Sequence, residues 1–443
     1  MGSLQEGIYY EKGSRPGQSI GIMFLRTKKS SPASEIGRVI SRIWDVCADL
    51  KNGILTDFRN SNLSHPEHYR DLTVLIGYGP KIFELTGTLK KKPELFSDLY
   101  FSEPNKGGGS VFTGSDLSYH PDITENHAAL DDIVIQFISD SAFVTNQCVV
   151  EIWRELSRST MENDYSASLS VTKYYDGFRR ADNRNWQGFH DGVSNLKYEE
   201  RKEIIGINAS QVKLEDKWTI EGTFMGFIRM YVDLPRWWQV ERSDQELMVG
   251  RDKMTGCPLI GINESTKKNI VIRGCPIPGT KEVTDDGNEI FRNRPRYGFQ
   301  TLSPGVSDNS LRYSHIAEAK KITGQTRVQK EEYQIFRQGY EFLEKTESYP
   351  GIRAGLNFIS FQDRPIRLFN TLVNISDDKA FSLRTAYSRL KEAPPKFRFN
   401  SFIRAGAAGI FFVPPQDKQE RFPGANIFMS TSDMKKEAKE WTR

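Results

Sequence analysis

The order of apolar and polar positions divides the chain into short segments that read as helices and strands in alternation. Between Ser34 and Leu50, the residues Ile36, Val39, Ile40, Ile43, Trp44 and Cys47 recur at helical spacing. Leu72–Ile76 is an apolar run closed by Gly77-Tyr78-Gly79-Pro80, which predicts a strand ending in a turn. Ile133–Ile138 is almost continuously apolar and predicts another strand. Cys148, Val149, Ile152, Trp153 and Leu156 then follow at helical spacing. The same grammar returns later in the chain. Thr223–Val232 predicts a strand, Leu234 to Val249 a helix with Pro235 in its first turn, and Leu356–Phe361 a further strand. Ile366, Phe369, Leu372 and Val373 mark a last helix. Strand-then-helix units in both halves predict an α+β protein, without a residue-level repeat.

Four stretches fall outside this pattern. The first thirty residues, rich in Gly, Ser and Lys, read as a loose lead-in. Pro104 to Ser110 contains three consecutive glycines and reads as a flexible loop. Arg273 to Gln300, full of Gly, Pro and charge, reads as a long surface excursion. From Ser430 onward the sequence is a charged tail. The expected organisation is therefore a lead-in over 1–30, domains over 31–185 and 186–429, and a tail over 430–443.

Composition narrows the function classes more than it names one. At 443 residues, with 37% hydrophobic and 27% charged, the chain is expected to be globular and large enough for two domains. A net charge of +4 carried by scattered basic residues gives no reason to expect a nucleic-acid partner. The apolar runs are far shorter than the ~18–20 residues of a membrane span. Met1 to Glu6 lacks a basic stretch followed by an apolar core, and Glu6 stands where a myristoylation signal has Ser or Thr. A cytoplasmic protein is the expectation. Cys47, Cys148, Cys257 and Cys275 are widely separated and form no Cys-x-x-Cys, so reduced, mostly buried thiols are expected.

Taken singly, no polar residue announces a site. The six histidines (His65, His68, His120, His127, His190 and His315) form no zinc-type pair with cysteine or with each other at short range. Asp191-Gly192 is a turn signal, and Arg337 is the kind of residue that makes a surface ion pair. One carboxylate, one imidazole and one guanidinium are nevertheless the groups a haem peroxidase needs. The imidazole holds the iron on one face. On the other face a base moves a proton between the oxygens of peroxide, and a fixed cation stabilises the charge that develops as they part.

The order of segments resembles the dye-decolorizing peroxidase family. Gly188-Phe189-His190-Asp191-Gly192, with Asn195 trailing, is similar to the family's Gly-x-x-Asp-Gly signature, although Leu196 stands where the family usually has Pro. Met230 to Leu234 and Val249 to Leu259 resemble the strand, helix and Gly-Arg-x-Lys-x-Thr-Gly-x-Pro-Leu run. Tyr313-Ser314-His315-Ile316 resembles the segment with the proximal ligand, and Ile335 to Gly339 the segment with the distal arginine. Leu72 to Phe83 and Gly409 to Pro415 complete a colinear match over about residues 70 to 415.

The resemblance implies two ferredoxin-like α+β domains with antiparallel sheets and packed helices, of the dimeric α+β barrel type. It implies His315 as the iron ligand of a haem b, with Asp191 and Arg337 on the distal face and Phe358, in the run Gly355–Gln362, against the cofactor. With no Cys-x-x-Cys-His in the chain, that haem is held non-covalently. Asp191 is expected to help split hydrogen peroxide heterolytically, leaving a ferryl haem radical, and Arg337 to hold peroxide and stabilise the charge. The partners expected are peroxide and an aromatic one-electron donor such as a dye or phenol. A homo-oligomer is left open. His190 is expected to point away from the haem. Among 17 Tyr and 7 Trp, Trp237, Trp238 and Tyr340 are candidates for passing electrons to the surface. A haem-binding or haem-delivery protein, and a scaffold that has lost the cofactor, are the competing readings.

Overall fold

A computed structural model describes residues 2–12, 14–28, 30–58, 66–96, 131–162, 168–190, 195–196, 198–253, 256, 258–262, 269–271, 281–283, 289–291, 314–316, 334–347, 351–368, 371, 402–430 and 432. Asp191, the 104–110 loop, Cys257, Cys275, Phe369, Leu372, Val373 and nearly all of the 273–300 stretch and the 430–443 tail lie outside the described residues.

Eight long strands carry the fold: β1 (Ser19–Thr27), β2 (Thr73–Tyr78), β3 (Ile133–Ser139), β4 (Leu169–Phe178), β5 (Thr223–Val232), β6 (Phe336–Lys345), β7 (Ile352–Gln362) and β8 (Ile403–Val413). They close into one barrel in the order β1-β3-β2-β8-β5-β7-β6-β4. Each half of that order is the same antiparallel sheet. The N-terminal strands run β4-β1-β3-β2 and the C-terminal strands β8-β5-β7-β6, both the 4-1-3-2 arrangement of a ferredoxin-like unit. The halves meet at two thin seams, one paired at Phe412 and Tyr78, the other at Glu341 and Phe178.

Both faces of the central strands are covered, which is why they read as apolar runs rather than as clean alternation. On β1, Ile20, Ile22 and Phe24 face the barrel interior with Phe227, Phe361 and Phe411. Met23 and Leu25 face outward beneath the helices α1 (Ala33–Lys51) and α2 (Ala142–Glu162). The stripe on α1 is the one its spacing predicts, with Ile36, Val39, Ile40, Ile43 and Cys47 buried. On α2 the buried side is Val144, Cys148, Ile152 and Leu156, while Trp153 is 61% exposed, on the opposite side from its expected place. Cys47 and Cys148 are buried free thiols, and burial pushes Cys47 up to about 12.

Two expectations need correction. The first thirty residues are not a loose lead-in, because they contain β1, paired on both sides with β3 and β4. The residues before β1 are also tied down. The Gln5 side chain donates to the carbonyls of Ile76 (3.0 Å) and Pro414 (2.8 Å) and accepts from the Ile76 N–H (2.9 Å). One amide thereby bridges the weak β2–β8 seam, and Ile8 fills the interior beside it. The helix expected from Leu234 to Val249 is broken into Leu234–Trp237 and α4 (Arg242–Val249), with α3 (Tyr198–Ile205), of the same length as α4, earlier in the chain.

Gln5→Ala is expected to lower the unfolding free energy by about 2–4 kcal/mol, since it leaves a buried N–H and two carbonyls without their partner. Denaturant titration measures this, and a change below about 0.5 kcal/mol would mean that the seam holds without Gln5.

Glu420 gives the fold a pH dependence. Its carboxylate accepts from the Gly424 N–H at 2.9 Å, yet burial pushes its pKa from the ordinary 4.5 up to about 7. Between those values the native state holds a proton that the unfolded chain releases, so stability falls as pH rises through the window. Glu420→Gln removes this slope. The variant should match the wild type near pH 4.5 and exceed it by about 2–3 kcal/mol at pH 8. A constant difference across that range would exclude Glu420 as the source.

Candidate active site

Strands β5 to β8 turn one face into the barrel and the other outward. Phe336, Tyr340, Ile359, Phe361 and Phe227 belong to the interior cluster. Their neighbours in sequence therefore share the outer face. Across that face Arg337, Ser360 and Gly226 form one row, each paired with the next, and Gly339, Phe358, Ile228 and Ala408 form another. Arg337 and Phe358 are thus diagonal neighbours on one surface. Phe358, Leu356 and Met230 are half-buried there, with Gly339 and Ala408 beside them. A half-buried apolar floor with a cation at its margin suits one face of a flat macrocycle. The residues present fit a haem in this respect.

The Gly-x-x-Asp-Gly segment is anchored on both sides of Asp191. Upstream, Arg184 donates to the Gly188 carbonyl at 2.7 Å and to the Lys253 carbonyl, and its Nη2 lies 2.9 Å from His190 Nε2. Gly188 has φ +90°, where a Cβ would lie 2.5 Å from Lys253 Cε. Phe189 is buried against Trp237, ring centroids 6.3 Å apart. The His190 ring is thus engaged with the Arg184 clamp. Downstream, the Asn195 Nδ2 donates to the Arg337 carbonyl at 2.7 Å, and its Oδ1 accepts the Arg337 N–H at 3.0 Å. Arg201, fully buried on α3, donates to the Leu196 carbonyl at 3.2 Å, and its guanidinium lies 5.0 Å from the Phe336 ring centroid.

His315 sits half-buried between the buried Ser314 and Ile316. This segment packs onto the C-terminal end of α4. Gly250, the left-handed residue that caps α4 at φ +82°, has no room for a side chain. A Cβ there would lie 2.4 Å from Ser314 Oγ and 2.9 Å from Ile316 Cγ1. The loop after α4 is held by its own polar network. Arg251 donates to the Gly256 carbonyl at 2.6 Å, and Glu246 accepts from Arg242 (2.7 Å) and from the Lys253 N–H (3.0 Å). Burial raises the Glu246 carboxyl and lowers the Lys253 ammonium, chiefly by desolvation.

Of the expected site residues, Arg337 and Phe358 come together on one face, His315 is placed by α4, and Asp191 lies outside the described residues between two fixed anchors. Of the three aromatic electron-transfer candidates, Trp237 and Tyr340 are fully buried and Trp238 is 69% exposed. Sequence reasoning assigned no task to Arg184, Asn195 or Gly250. Arg184 bonds Lys253, Asn195 bonds Arg337 and Gly250 abuts Ser314, partners 64 to 142 residues away along the chain, so the tasks of Asn195 and Gly250 are not encoded locally although both stand within the motifs of the resemblance.

Residues 182–418, just over half of the chain, match the family described as Dyp-type peroxidase, C-terminal. Among solved structures, ferric DtpA from Streptomyces lividans is 20% identical with a TM-score of 0.62, covering 96% of this chain and 98% of that one. A DyP-type peroxidase from Streptomyces coelicolor is 18% identical with a TM-score of 0.61, covering 97% and 98%. A DypB variant from Rhodococcus jostii in complex with heme is 14% identical with a TM-score of 0.52, covering 93% and 96%.

Proposed function

The chain belongs to the Dyp-type peroxidase family and is a haem peroxidase by that membership, and we propose that it uses hydrogen peroxide to oxidise dyes, phenolics or similar one-electron donors. The haem is a non-covalently held haem b. His315 is its iron ligand, Phe358 lies against it, and Asp191 and Arg337 act on peroxide. The single observation that carries this reading is the shared outer face of β6 and β7. There Arg337 and Phe358 are diagonal neighbours, and Asn195, four residues after Asp191, is bonded to the main chain of Arg337.

A bound haem would supply the redox-active iron at which the O–O bond is broken. The protein's contribution is placement and charge. Asp191, ionised, would take a proton from one oxygen of peroxide and deliver it to the other, so that the second can leave as water. Arg337 stays cationic throughout and stabilises the negative charge as it builds on the leaving oxygen. His315 would hold the iron through a neutral imidazole, its segment being placed by the packing of Ser314 and Ile316 on Gly250. A division of the chain near residue 185 belongs to the same reading.

The test is a haem titration of the purified protein followed by steady-state oxidation of a phenol and of a dye with peroxide. Turnover that requires both haem and peroxide supports the proposal. Haem that binds, passes readily to an acceptor apoprotein and sustains no turnover would instead favour a haem-delivery protein.

A further inference from the structure

We infer that Asn195 is a positioning residue. Its side-chain amide ties the segment bearing Asp191 to the strand edge at Arg337, so that the carboxylate and the guanidinium keep a fixed relation. The inference rests on the peroxidase reading above and assigns one of its residues a new part.

The argument starts from the edge of β6. Along its length β6 pairs with β7 on one side, whereas on the other it meets β4 only at Glu341. The N–H and carbonyl of Arg337 point to that less occupied side, because Asn195 engages both, at 3.0 Å and 2.7 Å. A primary amide presents one donor and one acceptor, the complement of a strand residue's main chain. Asn195 therefore takes the place of a neighbouring strand for one residue, and that residue is Arg337. The Asn195 Oδ1 also accepts the N–H of Leu196 at 3.1 Å, which fixes the amide against its own backbone. Arg201 holds the Leu196 carbonyl from the other side, and its guanidinium lies against the Phe336 ring, next to Arg337 in the chain. At the other end Arg184 engages His190, the residue before Asp191. His190 and Asn195, the described residues on either side of Asp191, are therefore each engaged, and Asn195 is engaged by the main chain of the arginine with which Asp191 must cooperate.

Proton transfer falls off steeply with misplacement, and a shift of about 1 Å costs roughly 10²-fold in rate. A link of this kind has a signature that plain structural support lacks, because its effect vanishes once the group it positions is gone.

The experiment measures the second-order rate constant of the haem-loaded protein with peroxide for wild type, Asn195→Ala, Asp191→Asn and the double variant. Amide hydrogen exchange at Arg337 is followed in each. Asn195→Ala should slow the reaction roughly 10- to 100-fold, leave haem affinity within about twofold and speed exchange at Arg337. On the Asp191→Asn background the same change should cost less than about twofold. Asn195→Asp keeps the acceptor for the Arg337 N–H and loses the donor to its carbonyl, so exchange at Arg337 should stay slow in that variant. An equal fold-loss on both backgrounds, or an unchanged rate despite faster exchange, would overturn the inference. Failure of the peroxidase reading looks different: Asp191→Asn alone would then leave the peroxide rate unaltered, whatever Asn195 does.

Discussion

Asp191→Asn is expected to lower the rate constant for reaction with peroxide by roughly 10²- to 10⁴-fold while haem stays bound. The amide is close to isosteric with the carboxylate and cannot take up the proton that must leave the nearer oxygen. The wild-type rate should rise with pH as the carboxylate ionises, and the Asn variant should lose that rise. Stopped-flow mixing across a pH series measures both. Retention of the wild-type rate and its pH profile in the variant would remove Asp191 from the reaction.

His315→Gly should bind haem weakly, with a Soret band displaced from that of the wild type, because the iron loses the only protein ligand assigned to it. Added imidazole should restore the wild-type band by occupying the space the side chain left. This outcome depends on the backbone being already shaped for the ring. The packing of Ser314 and Ile316 against Gly250 fixes that backbone independently of the imidazole. A Soret band in His315→Gly identical to that of the wild type, without imidazole, would place the iron ligand elsewhere.

The parts of the fold that could be read in advance are those whose signal is local. Thr223–Val232 is mostly apolar, with Arg229 its one charge, because β5 lies between β7 and β8 with both faces covered, and its predicted and observed limits coincide. β1 is also paired on both sides, but it is flanked by Gly13 to Gly17 and Lys28 to Ser30, whose composition dominates the window around it. The split in the helix after Leu234 is legible only in retrospect. Gln245 donates to the carbonyls of Trp237 (2.9 Å) and Val240 (3.0 Å), which stabilises the turn between the two pieces. Trp153 was expected inward because apolar residues occupy more than one face of α2, and periodicity then no longer selects a side.

The candidate site divides in the same way. Arg337, His315 and Asp191 were legible as an ordered set of motifs, not as individual residues. The task of Asn195, which holds the main chain of Arg337, was not legible, and neither was that of Gln5 in the fold. Gln5 and Asn195 are ordinary polar residues until their partners, 71 and 142 positions away, are brought alongside. Each then closes a gap in the strand pairing, Gln5 at the β2–β8 seam and Asn195 at the edge of β6. No local pattern encodes this, because the need for the amide is created by a strand edge formed elsewhere in the chain.

The most direct test of the central claim is a stopped-flow absorption spectrum of the haem-loaded protein mixed with one equivalent of hydrogen peroxide, run beside Arg337→Ala. The account predicts a rapid shift of the wild-type Soret band to a new stable position, and a shift roughly 10²- to 10³-fold slower without the guanidinium. A band that bleaches without shifting, at the same rate in both proteins, would contradict it.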